Sequence, residues 1–177
     1  MRKTLLVLLI ASPLFAQKSP YVTNRANDIK ALSPETLDAY RNGTGMGMAI
    51  PAELNGYPGP RHIIDLAEQL ELTADQRKQI QSIYDDMHAG AVRLGREIVD
   101  LEQKLDRGFA QKTMTPADLQ SLTAGIAARQ GELRFTHLKA HLAAKSVLSA
   151  SQVEKYIALR GYGGEHSEHH HDHHHGE

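Results

Sequence analysis

The chain has 177 residues, a formal charge of −1, and neither Cys nor Trp, a length that fits a single domain. No disulfide, thiolate metal site or lipid-anchored cysteine is open to it, and without a basic surface nothing points to nucleic acid. With only three Phe and six Tyr, a core has to come from Leu, Ile, Val, Ala and Met, which suits packed helices better than a β-sandwich.

The chain begins with the pattern of a secretory signal. Arg2 and Lys3 are a short positive region, Leu5 to Ile10 is an apolar run, and Ser12-Pro13-Leu14-Phe15-Ala16 ends in a small residue, the order a signal peptidase reads. Residues 1–16 are therefore expected to be cleaved, which places the mature protein in the periplasm. The apolar run is shorter than the ~20 residues a membrane span needs, so no transmembrane segment is expected after cleavage.

Helix starts can be read from capping chemistry, because the first N–H groups of a helix need an acceptor and a Ser or Thr side chain supplies one. Ser33-Pro34-Glu35 places Pro at the first helical position, where its missing N–H is harmless. Between that helix and the next, residues 43–60 hold so many Gly and Pro that no long regular element fits. Their apolar side chains (Met46, Met48, Ile50, Leu54, Tyr57) predict a segment that packs onto something. A short helix is expected from Pro60 to about Leu70. Thr73-Ala74-Asp75-Gln76 is a capping box. It opens a long helix in which Ile80, Ile83, Met87, Ala91, Leu94, Ile98, Leu101 and Leu105 fall in steps of three and four, one apolar face. Gly90 and Gly95 weaken this helix locally or admit a close neighbour, and Arg107-Gly108 is expected to end it. Thr115-Pro116 starts the next long helix, with Leu119, Leu122, Ile126, Leu133, His137, Ala140 and Ala144 on one face to about Val147. Ser149-Ala150-Ser151-Gln152 is a second capping box, opening a last short helix to about Leu159. Two long amphipathic helices with a short connection read as an antiparallel hairpin. The expected fold is all-α, a long antiparallel helical hairpin with shorter flanking helices. It divides into an N-terminal helix with the Gly/Pro-rich segment (17–61), the hairpin domain (62–160) and a His-rich disordered tail (161–177).

The two boxes, Leu72-Thr73-Ala74-Asp75-Gln76 and Leu148-Ser149-Ala150-Ser151-Gln152, open and follow the hairpin. With the signal pattern and the absence of Cys, they resemble the Spy/CpxP family of periplasmic LTxxQ proteins. That family includes ATP-independent chaperones, envelope-stress regulators and heavy-metal sensors of the CnrX type. The resemblance covers residues 62–160. The first box matches fully, and the second has Ser for Thr, which keeps the hydroxyl. The resemblance implies a bent helical protein that dimerises through its hairpins, with unfolded or envelope proteins as partners and no catalytic residues. In keeping with a non-enzymatic reading, the chain has no G-x-S-x-G, no H-E-x-x-H and no phosphate-binding glycine loop before a Lys-Ser/Thr pair.

Histidine carries the chemistry. Seven of the 11 His lie in the tail: His166, His169, His170, His171, His173, His174 and His175. Neutral imidazole suits Zn, Ni, Cu and Co, and Glu165, Glu168 and Asp172 add oxygen donors. A tail of this composition is expected to bind such metals with little selectivity. His137 and His141 form H-x-x-x-H, which puts both imidazoles on one helical face. Two ligands do not close a metal site. The pair therefore reads either as imidazoles packed at the hairpin interface, bonded to backbone or carboxylate, or as half of a site completed from His88, His62, Glu132, Met46 or Met48. No cofactor is required, and a divalent transition metal is the one candidate. The function expected from all this is a periplasmic Spy/CpxP-like protein that binds proteins or metal in envelope stress or metal response. The alternative is a heavy-metal sensor or metal buffer working through the tail.

Overall fold

The computed structural model describes residues 18–163. The signal pattern and the seven tail histidines lie outside the described residues. After a 3₁₀ segment at Pro20–Ala26, the helices are α1 Pro34–Arg41, α2 Ile50–Glu53, α3 Pro60–Asp65, α4 Ala74–Ala110, α5 Pro116–Val147 and α6 Ala150–Leu159. The fold is all-α, with no strand among the described residues, and α4 and α5 pair along their length as the expected hairpin. No helix among them is long and apolar enough to cross a membrane.

All four capping readings hold. Ser33, Thr73, Thr115 and Ser149 are N-caps whose side chains accept from the third residue of their helices. The two boxes also meet. Gln76 Nε2 donates to the Val147 carbonyl and to Gln152 Oε1, both at 2.9 Å. Gln152 Nε2 donates to the Leu70 carbonyl and to Gln76 Oε1, both at 3.1 Å. Each glutamine thus closes its own box and clamps the other's helix start, so the open end of the hairpin is pinned by a reciprocal amide pair.

Two helix ends and one added helix differ from the sequence expectation. Helix α4 passes Gly108 and ends at Ala110. There Lys112 adopts φ 56°, while Thr113 N–H donates to Gly108 O and Lys112 N–H to Phe109 O. This is a left-handed helix stop made by a lysine rather than a glycine. Gly108 lies inside the helix, and a Cβ there would sit 2.3 Å from the Met114 methyl. Helix α3 stops at Asp65 rather than near Leu70, and the chain continues through turns that Glu71 closes at φ 52°. Within the Gly/Pro segment, α2 is a short helix the composition did not announce.

Two apolar clusters hold the hairpin. One joins Ile29, Leu32, Leu37 and Tyr40 to Ala91, Leu94, Ile98 and Leu133. The other joins Ile63, Ala67, Leu70 and Leu72 to Ile80, Ala144 and Tyr156 at the open end. Helix α1 lies on α4 at Gly95, where a Cβ would come within 2.0 Å of the Tyr40 carbonyl oxygen. Only glycine allows that crossing, so the locally weakening residue is also the one that admits the packing partner. Between the clusters, α4 presents Tyr84, Met87 and His88, and α5 presents His137 and His141. Polar groups replace the core over this stretch.

Candidate functional site: a histidine-lined cavity

A cavity of about 540 Å³ opens where the two clusters part. The Gly/Pro segment forms one wall, with residues 42–47, 49, 50 and 53. The start of α3, the middle of α4 and the α5 histidines form the rest. His62, His88, His137 and His141 all line it. These are all the histidines outside the C-terminal tail. Met46 and Met87 also line it, and Glu53 is its one lining carboxylate, close to Arg160, while the other lining guanidinium, Arg61, pairs with Asp65 at 3.3 Å.

The two α5 imidazoles are held differently. His141 Nδ1–H donates to the Tyr57 carbonyl at 2.7 Å. A carbonyl can only accept, so the proton is fixed on Nδ1 and the neutral ring keeps its lone pair on Nε2. That Nε2 faces Gly59, where a Cβ would lie 3.1 Å away. His137 is 4% exposed, and its Nε2 is buried with no hydrogen-bond partner. Burial, together with His141 and His88, pushes its pKa below the usual imidazole value. Burial first, then Arg160, does the same for His62, against an opposing pull from Glu53. The imidazoles of His62 and His137 are therefore biased to the neutral form. His88 stacks on Tyr84 with ring centroids 5.6 Å apart.

Glu53 anchors the wall. Its carboxylate accepts from the phenols of Tyr156 and Tyr162 and, at 3.1 Å, from Gly59 N–H. Arg160 Nε and His141 Nδ1 each lie 3.6 Å from it. Burial first, then the Glu53 hydrogen bond and charge, raises the Tyr156 pKa and keeps that phenol protonated. Through this one side chain, α2 is fastened to α5 and α6. The composition of residues 43–60 predicted a packed segment, but nothing in the sequence marked Glu53 as its tie.

The structure thus brings together His137, His141, His88, His62 and Met46 from the sequence candidates. Met48 packs against the cluster of Leu94, Ile98 and Leu133, and Glu132 is an exposed partner of Arg129 at 2.7 Å, so neither lines the cavity. Met87 was read only as a core residue. Among the described residues, no three His, Asp or Glu side chains converge closely enough to hold an ion. His141 is bonded to backbone, and His137 is buried with an Nε2 that has no hydrogen-bond partner. A chemistry of borderline nitrogen and soft thioether donors in a half-buried cavity suits late first-row divalent metals. No family model, curated protein or solved structure matches the chain.

Proposed function

We propose that the protein is a non-enzymatic periplasmic binding protein of the metal or envelope-stress response, taking a divalent transition metal such as Ni, Co, Cu or Zn into the histidine cavity. One observation carries this reading. Every histidine outside the tail lines one cavity, and His137 is buried there with an unpartnered Nε2. A buried nitrogen without a partner is costly unless something binds it. His141 supports the same reading, since a ring that donates Nδ1–H to a carbonyl and presents Nε2 is oriented as metal-bound histidines are. The tail, by composition, is a second and looser metal binder.

The test is metal retention by the mature full chain at pH 7.5, with nickel supplied as the aquo ion and, separately, as its citrate complex. His137→Gln is expected to remove one site per chain in at least one of the two forms and leave the tail's share. If the variant retains as much nickel as the parent from both, the cavity is not the metal site.

A second reading concerns protein partners, and α5 favours it. Opposite its buried face runs another apolar stripe, Ala124, Ala128, Phe135, Leu138 and Leu142, with Phe135 64% and Leu142 61% exposed. Such a stripe on a long helix suits another chain, either a second copy or an unfolded envelope protein, as the Spy/CpxP resemblance implies. Phe135→Glu with Leu142→Glu is expected to leave helicity unchanged and to reduce self-association in sedimentation. Unchanged sedimentation would remove the homodimer from this reading.

A further inference from the structure

We infer that the outer face of α5 docks a second copy of this chain, the two α5 helices lying antiparallel about a twofold axis between Ala128 and Gly131; this rests on the protein-partner reading above and gives it one partner and one register. Four observations lead to it.

The first is periodicity. From Ala117 to Leu142, every residue of α5 reached by alternating steps of four and three is apolar or small. All of these are exposed except Leu138, which is half-exposed. The helix buries Ile126, Leu133, Ala140 and Ala144 on its opposite side, toward α4 and the core. A repeat of 3.5 residues is the seam of a left-handed coiled coil, since only that wrapping keeps it facing one partner helix. This seam is about 37 Å long at the helical rise, and nothing within the described chain covers it.

The second is that the seam complements itself when reversed. Its first half is small and its second half large. Antiparallel, Ala117 faces the partner's Leu142, Ser121 the partner's Leu138, Ala124 the partner's Phe135 and Ala128 the partner's Gly131. The twofold axis repeats each contact, as an isologous interface requires. Large side chains then fill the space that small ones leave. A parallel pair would instead set Phe135 on the partner's Phe135 and leave the small half unfilled.

The third is Gly131. It lies inside a 32-residue helix, where glycine weakens the helix relative to alanine. A Cβ built on it meets nothing within 4 Å, so no packing in this chain requires glycine there. At the centre of the antiparallel seam it lets the two helices approach closely.

The fourth is charge. Asp118 and Lys139 flank the seam on the same side, and neither forms an ion pair among the described residues. In this register Asp118 comes beside the partner's Lys139, once at each end. Glu132 falls beside the partner's Gly125 and Arg134 beside the partner's Ala127, so no like charges meet. An unfolded client would need neither the mirrored sizes nor the central glycine.

Sedimentation equilibrium of the mature full chain in EDTA, which removes metal bridging, tests this. The parent is expected to be a dimer. Gly131→Gln is expected to weaken association ~10-fold or more by overpacking the centre, with helicity intact by circular dichroism. Lys139→Glu is expected to weaken it several-fold, and adding Asp118→Lys to restore it; a purely structural role for either residue would give no such rescue. A dimer that survives Gly131→Gln but dissociates in Phe135→Glu with Leu142→Glu would overturn this register and leave the protein-partner reading standing. A dimer indifferent to all these variants would overturn both. A monomeric parent would overturn the inference and leave only an unfolded protein as partner for the stripe.

Discussion

His137 and His141 are four residues apart on one helix, and the spacing alone makes them look equivalent. Their surroundings separate them. The Tyr57 carbonyl, eighty-four residues away in sequence, takes the Nδ1–H of His141. Nothing takes Nε2 of His137. The H-x-x-x-H pattern was legible because helical periodicity is local; the division of labour was not, because it depends on where a Gly/Pro-rich segment comes to rest. The difference has a consequence in acid. His137 and His62 have folded-state pKa values below the ordinary ~6.5, burial being the first cause in each. The unfolded chain therefore binds more protons than the folded one once pH drops below ~6.5, and stability falls with pH through that range. Full stability is expected above ~6.5, with a progressive loss toward the lower folded values. Urea midpoints measured from pH 7.5 to 5 should show this decline, and His137→Gln should flatten part of it. A variant whose decline parallels the parent's would mean that protonation of His137 is not resisted by the fold. Gly59 belongs to the same small region. Gly59→Ala places a Cβ 2.9 Å from His141 Cε1, so it is expected to displace that ring and weaken nickel retention while leaving the hairpin helicity intact.

The helix starts were the most readable elements, because a cap is a local contract between a hydroxyl and an amide three residues on. Ends were harder. A left-handed stop at Lys112 carries no glycine to announce it, and the stop at Asp65 is set by turns that feed the Thr73 cap. The sequence also concealed that the two boxes face each other. Each glutamine was readable as closing its own helix, but its free amide nitrogen reaches across the hairpin, a tertiary fact. Two predictions test this level. Thr73→Ala is expected to cost ~1 kcal/mol through the lost cap, whereas Thr44→Ala, in the loop after α1 where its side chain accepts no bond, should cost less. Equal denaturation midpoints for the two would show that the Thr73 hydroxyl does not hold the start of α4. Gln76→Ala and Gln152→Ala should then be non-additive, since either substitution breaks the same reciprocal pair and contacting residues couple by ~0.5 kcal/mol or more. Strict additivity in the double variant would mean that the pair contributes no joint stability. The outer stripe of α5 was missed for a related reason. Reading one face of a helix for its core hides a second apolar face on the opposite side, and here Phe135 and Leu142 occupy it.

For the whole molecule, periodicity and caps sufficed to give an all-α hairpin, because α4 and α5 find each other through long apolar faces. They did not reveal that the core is split. Ile63, Ile80, Ala144 and Tyr156 close one end, Leu94, Ile98 and Leu133 hold the other, and the four histidines occupy the gap. A cavity between two cores can be filled or empty without dissolving either, which suits a binding role. It also sets an expectation for the C-terminal residues. Both clusters and the Glu53 ties lie wholly within residues 18–163, whereas residues 165–177 contain no apolar side chain. Such a sequence has no burial to offset its ordering entropy. Deleting residues 165–177 should therefore leave the thermal midpoint unchanged in the presence of a chelating resin. With nickel citrate added, a ligand that binds only the folded state stabilises it by mass action, ~2.7 kcal/mol at a hundredfold excess over Kd. The shortened chain should keep that upward shift, because its cavity is intact, while His137→Gln in the full chain should lose it although all seven tail histidines remain. The opposite pattern, a shift that disappears with the tail and survives His137→Gln, would move the stabilising metal from the cavity to the tail.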